Sequence, residues 1–300
     1  MRQTIDAKWV FDRYGQVRQR LPFPHFSPAT EPVANLGDIA DRFDTFVFDS
    51  FGVLNVGNAA IPGAVERVSQ LRDAGKRVFV LTNAASVPIR RLQQKYAGLG
   101  FDFSASEIVS SRAVLMHALR QFDAGMEWAV IAPDDAEIDE LPARVRHYTD
   151  STKGHCDGFI FLSSSGWNEH RQDILRRALE RKARPLLIGN PDLVAPREDC
   201  LTLEPGAYAH DIADRSSVAP VFFGKPFGNA FEFLVDVSGD TLNPERTLMI
   251  GDTLHTDVLG GRAAGMHTAL VTEFGVLRDL EPAACIAASG IVPDFRMPSI

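Results

Sequence analysis

Phe46-Val47-Phe48-Asp49-Ser50-Phe51-Gly52-Val53-Leu54 is the stretch on which the fold turns. A short apolar run ends in a carboxylate, and a small residue, an aromatic and a glycine follow. Asp41-Arg42 bounds the run upstream and Gly52 downstream, so it reads as a buried strand running into a turn. A carboxylate at the C-terminal end of a buried parallel strand stands where open α/β sheets bind their ligands. Aspartate is also a common turn former. Asp49 therefore acquires a function only if other strands deliver partners to the same edge.

Downstream, Ile61-Pro62-Gly63 opens a helix reaching Ala74, with Val65, Val68 and Leu71 at helical spacing and Gly75 as its stop. Arg77-Val78-Phe79-Val80-Leu81 is a second strand, ending in Thr82-Asn83. A helix beginning at Ser86 and Pro88, an extended piece over 107–110 and a helix through Leu115 and Leu119 lead to a third strand, Trp128-Ala129-Val130-Ile131. Strands alternating with helices imply parallel βαβ units with right-handed crossovers. From about Pro142 the chain becomes richer in turns. There the strands 158–162 and 185–188 flank an amphipathic helix over 169–184, and Gly189-Asn190-Pro191-Asp192 turns. The earlier pattern resumes with Val221-Phe222-Phe223-Gly224-Lys225-Pro226, a strand over 247–250 running into Gly251-Asp252-Thr253, and a strand over 268–271. Upstream, Pro22, Pro24, Pro28 and Pro32 break the chain into an arm. The first 20 residues of that arm fit one helix, with Trp9, Val10, Tyr14 and Val17 on a face. The expectation is an arm over 1–32, a doubly wound parallel, Rossmann-like α/β core over 33–140 and 213–300, and an inserted smaller α/β cap over 141–212.

The bulk numbers narrow the function. The chain has 300 residues, 45% of them apolar, and a net charge of -8. No basic stripe suits a nucleic acid, and no apolar run approaches the roughly 20 residues of a membrane span. Cys156, Cys200 and Cys285 are scattered and odd in number, with neither zinc-type pairing nor a disulfide framework. They point to a reducing compartment. The N-terminus lacks the apolar core of a secretory signal, so a cytoplasmic protein is expected.

Asp49, Thr82-Asn83 and Asp252 each end a strand, and in a parallel sheet those tips converge on one crevice. Asp257 follows five residues after Asp252, and Lys225 arrives on its own turn. Carboxylates gathered in one pocket repel each other and require a cation. Hard oxygen ligands select Mg²⁺. A cation, a lysine and Thr/Asn donors suit a phosphoryl group, whose charged oxygens they stabilise. Asp49 is then the candidate nucleophile, forming an aspartyl-phosphate that water hydrolyses. Thr82, Asn83 and Lys225 are the candidate phosphate ligands. His255, beside this cluster, reads as a loop histidine, with substrate contact as the alternative.

The motifs Asp49-Ser50-Phe51-Gly52-Val53, Leu81-Thr82-Asn83, Gly224-Lys225-Pro226 and Gly251-Asp252-Thr253-Leu254-His255-Thr256-Asp257 together resemble the haloacid dehalogenase superfamily. Ile61-Pro62-Gly63-Ala64, Gly75-Lys76 and Asn190-Pro191-Asp192 resemble its subclass IIA, which includes p-nitrophenyl phosphatases and pyridoxal phosphatase. The resemblance covers residues 38 to 298. It implies a Mg²⁺-dependent phosphatase of a small phosphorylated metabolite, with a cap between the Thr-Asn and lysine motifs. The implied metal ligands are Asp49, the main-chain carbonyl of Phe51 and Asp252, with Asp257 in support. Asn190 and Asp192 fall on a cap loop near substrate, and pairing of caps into a homodimer is a further implication.

One position departs from the family pattern. The aspartate that serves the family as general acid/base is Phe51 here. Phenylalanine cannot protonate a leaving oxygen or activate water, a loss of about 10²–10⁴ in rate for a poor leaving group. The expectation is a slow or selective phosphatase. The alternatives are a phosphometabolite-binding pseudo-phosphatase and a phosphotransferase to an acceptor other than water.

Overall fold

A computed structural model describes residues 5–149, 154–196, 200–239 and 242–300. The main sheet has seven parallel strands in the spatial order Glu31–Pro32, Phe295–Met297, His267–Val271, Thr247–Gly251, Thr45–Phe48, Arg77–Thr82 and Ile108–Ser110. Thr45–Phe48 is buried along its whole length, as a central parallel strand covered on both faces must be. From it the chain winds outward through Arg77–Thr82 to Ile108–Ser110. It later returns on the other flank through Thr247–Gly251 and His267–Val271 to Phe295–Met297. The strand order thus reverses beside Thr45–Phe48, and the crevice of a doubly wound sheet lies at that reversal.

A second parallel sheet runs Val221–Phe222, Leu186–Ile188, Gly158–Phe161, Glu127–Ile131, Arg144–His147. This corrects the reading of residues 128–131 as a strand of the core. Glu127–Ile131 lies between Arg144–His147 and Gly158–Phe161, and Val221–Phe222 also pairs into the second sheet. The expected cap limits of 141 and 212 are therefore too narrow at both ends. An apolar run buried on both faces carries no mark of which sheet it will join, and its pairing is decided by partners far along the chain.

The two sheets share one buried apolar cluster. Val47, Phe79 and Met249 of the main sheet meet Trp128, Ile160 and Leu187 of the second through Leu115, Phe231 and Leu234. The arm contains the helix Ala7–Gln16, capped by Asp6, whose side chain accepts the Trp9 N–H at 2.7 Å. Its buried residues Val10 and Tyr14 join Leu193 and Val194 from the second unit and Leu254, Val258 and Leu270 from the core. No helix among the described residues is long and apolar enough to cross a membrane.

Candidate active site

Asp49 follows the last residue of Thr45–Phe48, and its N–H still donates to Ile250 O at 2.8 Å. The ladder to the neighbouring strand thus fixes the backbone at the carboxylate. A tight turn follows: Leu54 N–H returns to Ser50 O at 2.9 Å, and Ser50 Oγ donates to Asn55 Oδ1 at 2.9 Å. Gly52 adopts φ 77°, and a Cβ there would strike the Asp252 side chain and the Gly275 backbone. Glycine at this position lets the first motif pack directly on the fourth.

Asp252 leaves the adjacent strand Thr247–Gly251. Its Oδ2 accepts the Val276 N–H at 2.8 Å and its Oδ1 accepts the Thr253 hydroxyl at 2.9 Å. Asp257 sits on a buried π-turn, Leu254–Val258, the kind of wide turn that recurs at functional sites. Its Oδ2 accepts the Thr253 N–H at 3.1 Å. Lys225, 2% exposed, bridges the group: its Nζ lies 2.6 Å from Asp49 Oδ1 and 2.7 Å from Asp257 Oδ1. Asp49, Asp252 and Asp257 each bring one oxygen within 4.8 Å of the others.

The electrostatics follow from burial. Desolvation raises Asp49 to about 6, with Lys225 opposing the rise and Asp257 adding to it. Asp252 is pushed well above the ordinary carboxylate range by burial, then by Asp257 and Asp49. Burial alone would lower Lys225, but the carboxylates of Asp257 and Asp49 outweigh it and hold the ammonium above its usual value. One lysine against three carboxylates leaves an excess of negative charge among hard oxygen donors. That donor set fits a divalent cation such as Mg²⁺.

The remaining expected residues divide. Thr82 is buried, its hydroxyl accepting the Ala84 N–H at 3.3 Å. The Asn83 side chain is fully engaged. It accepts the Lys225 N–H at 2.8 Å and the Ser111 hydroxyl at 2.9 Å, and donates to Lys225 O at 3.0 Å and Asp192 Oδ1 at 2.8 Å. Its amide therefore holds the lysine loop in place. Gly224 beside it has φ 127°, and a Cβ there would meet Ser111 Oγ and Asn83 Oδ1. Asp192 reaches the cavity, and burial raises it to about 7 against the pull of Lys225. Asn190 instead stays in its own turn, accepting the Asp192 N–H and donating to Glu204. His255 is buried beneath the arm, stacked on Tyr14 with ring centroids 4.8 Å apart, and desolvation lowers it to about 3. It is neutral packing, not a phosphate-binding cation.

Residues 46–141 match the family model described as haloacid dehalogenase-like hydrolase, and residues 222–296 match a second, related hydrolase model. Human chronophin is 31% identical over 284 residues, covering 89% of this chain and 94% of its own. This chain is a haloacid dehalogenase-like hydrolase. Human glycerol-3-phosphate phosphatase is 28% identical over 293 residues, covering 86% of this chain and 88% of its own. A solved structure of a possible sugar phosphatase from Cytophaga hutchinsonii superposes with a TM-score of 0.79 at 26% identity, over 90% of this hydrolase and 98% of that chain.

The hydrolase carries site residues that sequence reasoning missed. A cavity of about 490 Å³ opens above Asp49, Lys225 and Asp252, and Val10 and Tyr14 of the N-terminal helix line it. So does Lys95 from the helix Ile89–Gly98, a second cation, which burial shifts downward while Asp49 pulls it up. Helical spacing marked the buried face of the arm but said nothing of what that face covers. Lys95 lies in an amphipathic pattern where any lysine reads as solvated.

Proposed function

We propose that this hydrolase is a Mg²⁺-dependent phosphatase acting on a small phosphorylated metabolite through an aspartyl-phosphate on Asp49. The observation that carries the reading is the buried Lys225 ammonium held between Asp49 and Asp257, with Asp252 completing a carboxylate group at the sheet reversal. Lys225 fixes one Asp49 oxygen and keeps the carboxylate oriented. Asp49 attacks phosphorus and the ester P–O bond breaks, with the electron pair leaving on the ester oxygen. Water then attacks the acyl phosphate, releasing inorganic phosphate and restoring the carboxylate. Asp49, Asp252 and the Phe51 carbonyl, with Asp257 in support, would hold Mg²⁺, which supplies charge neutralisation at the phosphoryl oxygens. Thr82 and Lys225 are the phosphate ligands of this reading, Asn83 holds the Lys225 loop in place, and Lys95 adds positive charge to the cavity.

Relatives named as phosphatases of chain-long similarity support the reaction class. Phe51 favours a second reading, in which phosphoryl binding or transfer replaces hydrolysis, because no side chain at that position can protonate the leaving oxygen. Phosphate release from p-nitrophenyl phosphate with and without Mg²⁺, in wild type and Asp49→Asn, tests the first. Metal-dependent release that vanishes in the variant supports the phosphatase, and an unchanged rate in the variant refutes the nucleophile. Labelled phosphate appearing on an alcohol would establish transfer. Tight beryllium fluoride binding without turnover would establish a sensor. The scattered free cysteines fit a cytoplasmic enzyme, and sedimentation would test the homodimer implied by the resemblance.

A further inference from the structure

We infer that Tyr14, on the N-terminal helix, is a substrate-binding residue whose hydroxyl donates a hydrogen bond to a phosphoryl oxygen, filling the place that the Asn83 amide cannot. This rests on the phosphatase reading for the identity of the ligand. Tyr14 lines the cavity together with Asp49, Lys225, Asp192 and Asp252. The side chain is 4% exposed. Its hydroxyl accepts the Leu193 N–H at 3.4 Å, and the hydroxyl's own proton has no acceptor within hydrogen-bond distance among the described residues. A buried donor left without an acceptor is costly, so its place in a binding cavity calls for an acceptor that arrives from outside. Burial, and then the fields of Asp192, Asp257 and Asp252, hold the phenol well above its ordinary range. It therefore stays neutral, and it offers a hydrogen bond without releasing the proton.

The phosphoryl group is the acceptor this donor suits. Its oxygens carry the negative charge of the substrate and need preorganised donors around them. Thr82 and Lys225 supply two such groups. Asn83 spends its amide hydrogens on Lys225 O and Asp192 Oδ1, which leaves the site one donor short. An anionic oxygen also takes a shorter and stronger hydrogen bond than a neutral oxygen of the organic part. The donor is held in position. The Tyr14 ring stacks on His255 with an interplanar angle of 4°, and Phe11 meets the same imidazole edge-on at 5.6 Å. Arg13 and Arg20 reach Asp214 on the helix Pro205–Arg215 at 2.5 and 2.7 Å, and the arm's buried face rests on Leu254 and Val258 of the core. Tyr14 lies outside both stretches that match the family models, so the contact is one the arm adds to the site.

The test reads phosphate binding and requires no turnover. Inorganic phosphate is titrated calorimetrically into wild type and Tyr14→Phe in saturating Mg²⁺, and Mg²⁺ is titrated into each without phosphate. The substitution keeps the ring, and thermal melting checks the fold. Tyr14→Phe should bind phosphate about tenfold more weakly, the low end for a hydrogen bond to a charged group, with its Mg²⁺ affinity within about twofold of wild type. With 3-fluorotyrosine placed at position 14 alone, the fluorine resonance should shift when phosphate is added, a reading that stands even if Tyr14→Phe fails to fold. An unchanged phosphate affinity in Tyr14→Phe, or a resonance that phosphate leaves in place, overturns the inference. So does a parallel loss of Mg²⁺ affinity, which would reduce Tyr14 to a structural role. A wild type that binds phosphate but hydrolyses no ester refutes the phosphatase reading alone, and one that binds no phosphate refutes both.

Discussion

Replacing Phe51 by aspartate should convert a slow enzyme into a faster one, and selectively. The side chain at 51 borders the cavity above Asp49, while the turn that carries it is held by backbone bonds from Gly52 N–H to Asn55 O and from Leu54 N–H to Ser50 O. The substitution therefore changes the side chain and leaves the loop. Aspartate is smaller than phenylalanine, so nothing is overpacked. A correctly placed general acid/base contributes about 10²–10⁴, or about 3–5 kcal/mol of barrier. That benefit goes to substrates whose leaving oxygen needs a proton. For a simple alkyl phosphate, Phe51→Asp should raise kcat by about 10² or more. For p-nitrophenyl phosphate, whose leaving group departs as a stable anion, the gain should stay below about tenfold. The alkyl pH–rate profile should also acquire a second, acid-dependent limb. The cost is stability in chelator, because a further carboxylate joins Asp49, Asp252 and Asp257, and Mg²⁺ should restore it. Phosphate release from both substrates, with thermal melting as the control for folding, reads the outcome. A folded variant with an unchanged alkyl rate, or with equal gains on both substrates, would refute the claim that proton transfer is what this site lacks.

Lys225→Met should cost about 3–5 kcal/mol in chelator, the scale of a buried ion pair broken from one side, since Asp49 and Asp257 lose their shared ammonium. Denaturant titration checks it, and the Mg²⁺-induced gain should exceed that of wild type. Mg²⁺ at a hundredfold excess over its Kd should stabilise wild type by about 2.7 kcal/mol, and Asp252→Asn should erase most of that shift in a melting experiment. Asp192 predicts a pH effect of defined sign. Its folded value of about 7 lies above the ordinary carboxylate range near 4, so between those values the folded state keeps a proton that the unfolded chain has released. Its contribution to stability is therefore present at low pH and lost as pH rises through about 7. In chelator, Asp192→Asn should flatten that part of the stability profile, and an unchanged slope would contradict the assignment.

What could be read in the sequence was the gathering of strand-end residues that local spacing encodes. Asp49, Thr82 and Asp252 follow apolar runs, and a parallel sheet must bring such tips together, so the carboxylate group needed no long-range knowledge. The misses share a different physical origin. Glu127–Ile131 is as apolar as a core strand, yet its neighbours are Arg144–His147 and Gly158–Phe161. Pairing between parallel strands is settled by crossovers of many residues, not by the strand's own composition. Phe295–Met297 and Glu31–Pro32, three and two residues long, fall below any length at which alternation can be recognised. Asn83 reads as a ligand by motif, but its amide is committed to the Lys225 loop, and only the folded chain shows Ser111 and Asp192 arriving to complete that commitment. The arm illustrates the same limit. A buried face at helical spacing announces that something is covered, and the identity of the covered object is a tertiary fact. Here it is the mouth of the crevice, with Tyr14 resting on an imidazole two residues before Asp257. The cavity above Asp49 is therefore lined in part by a segment whose sequence advertises only packing.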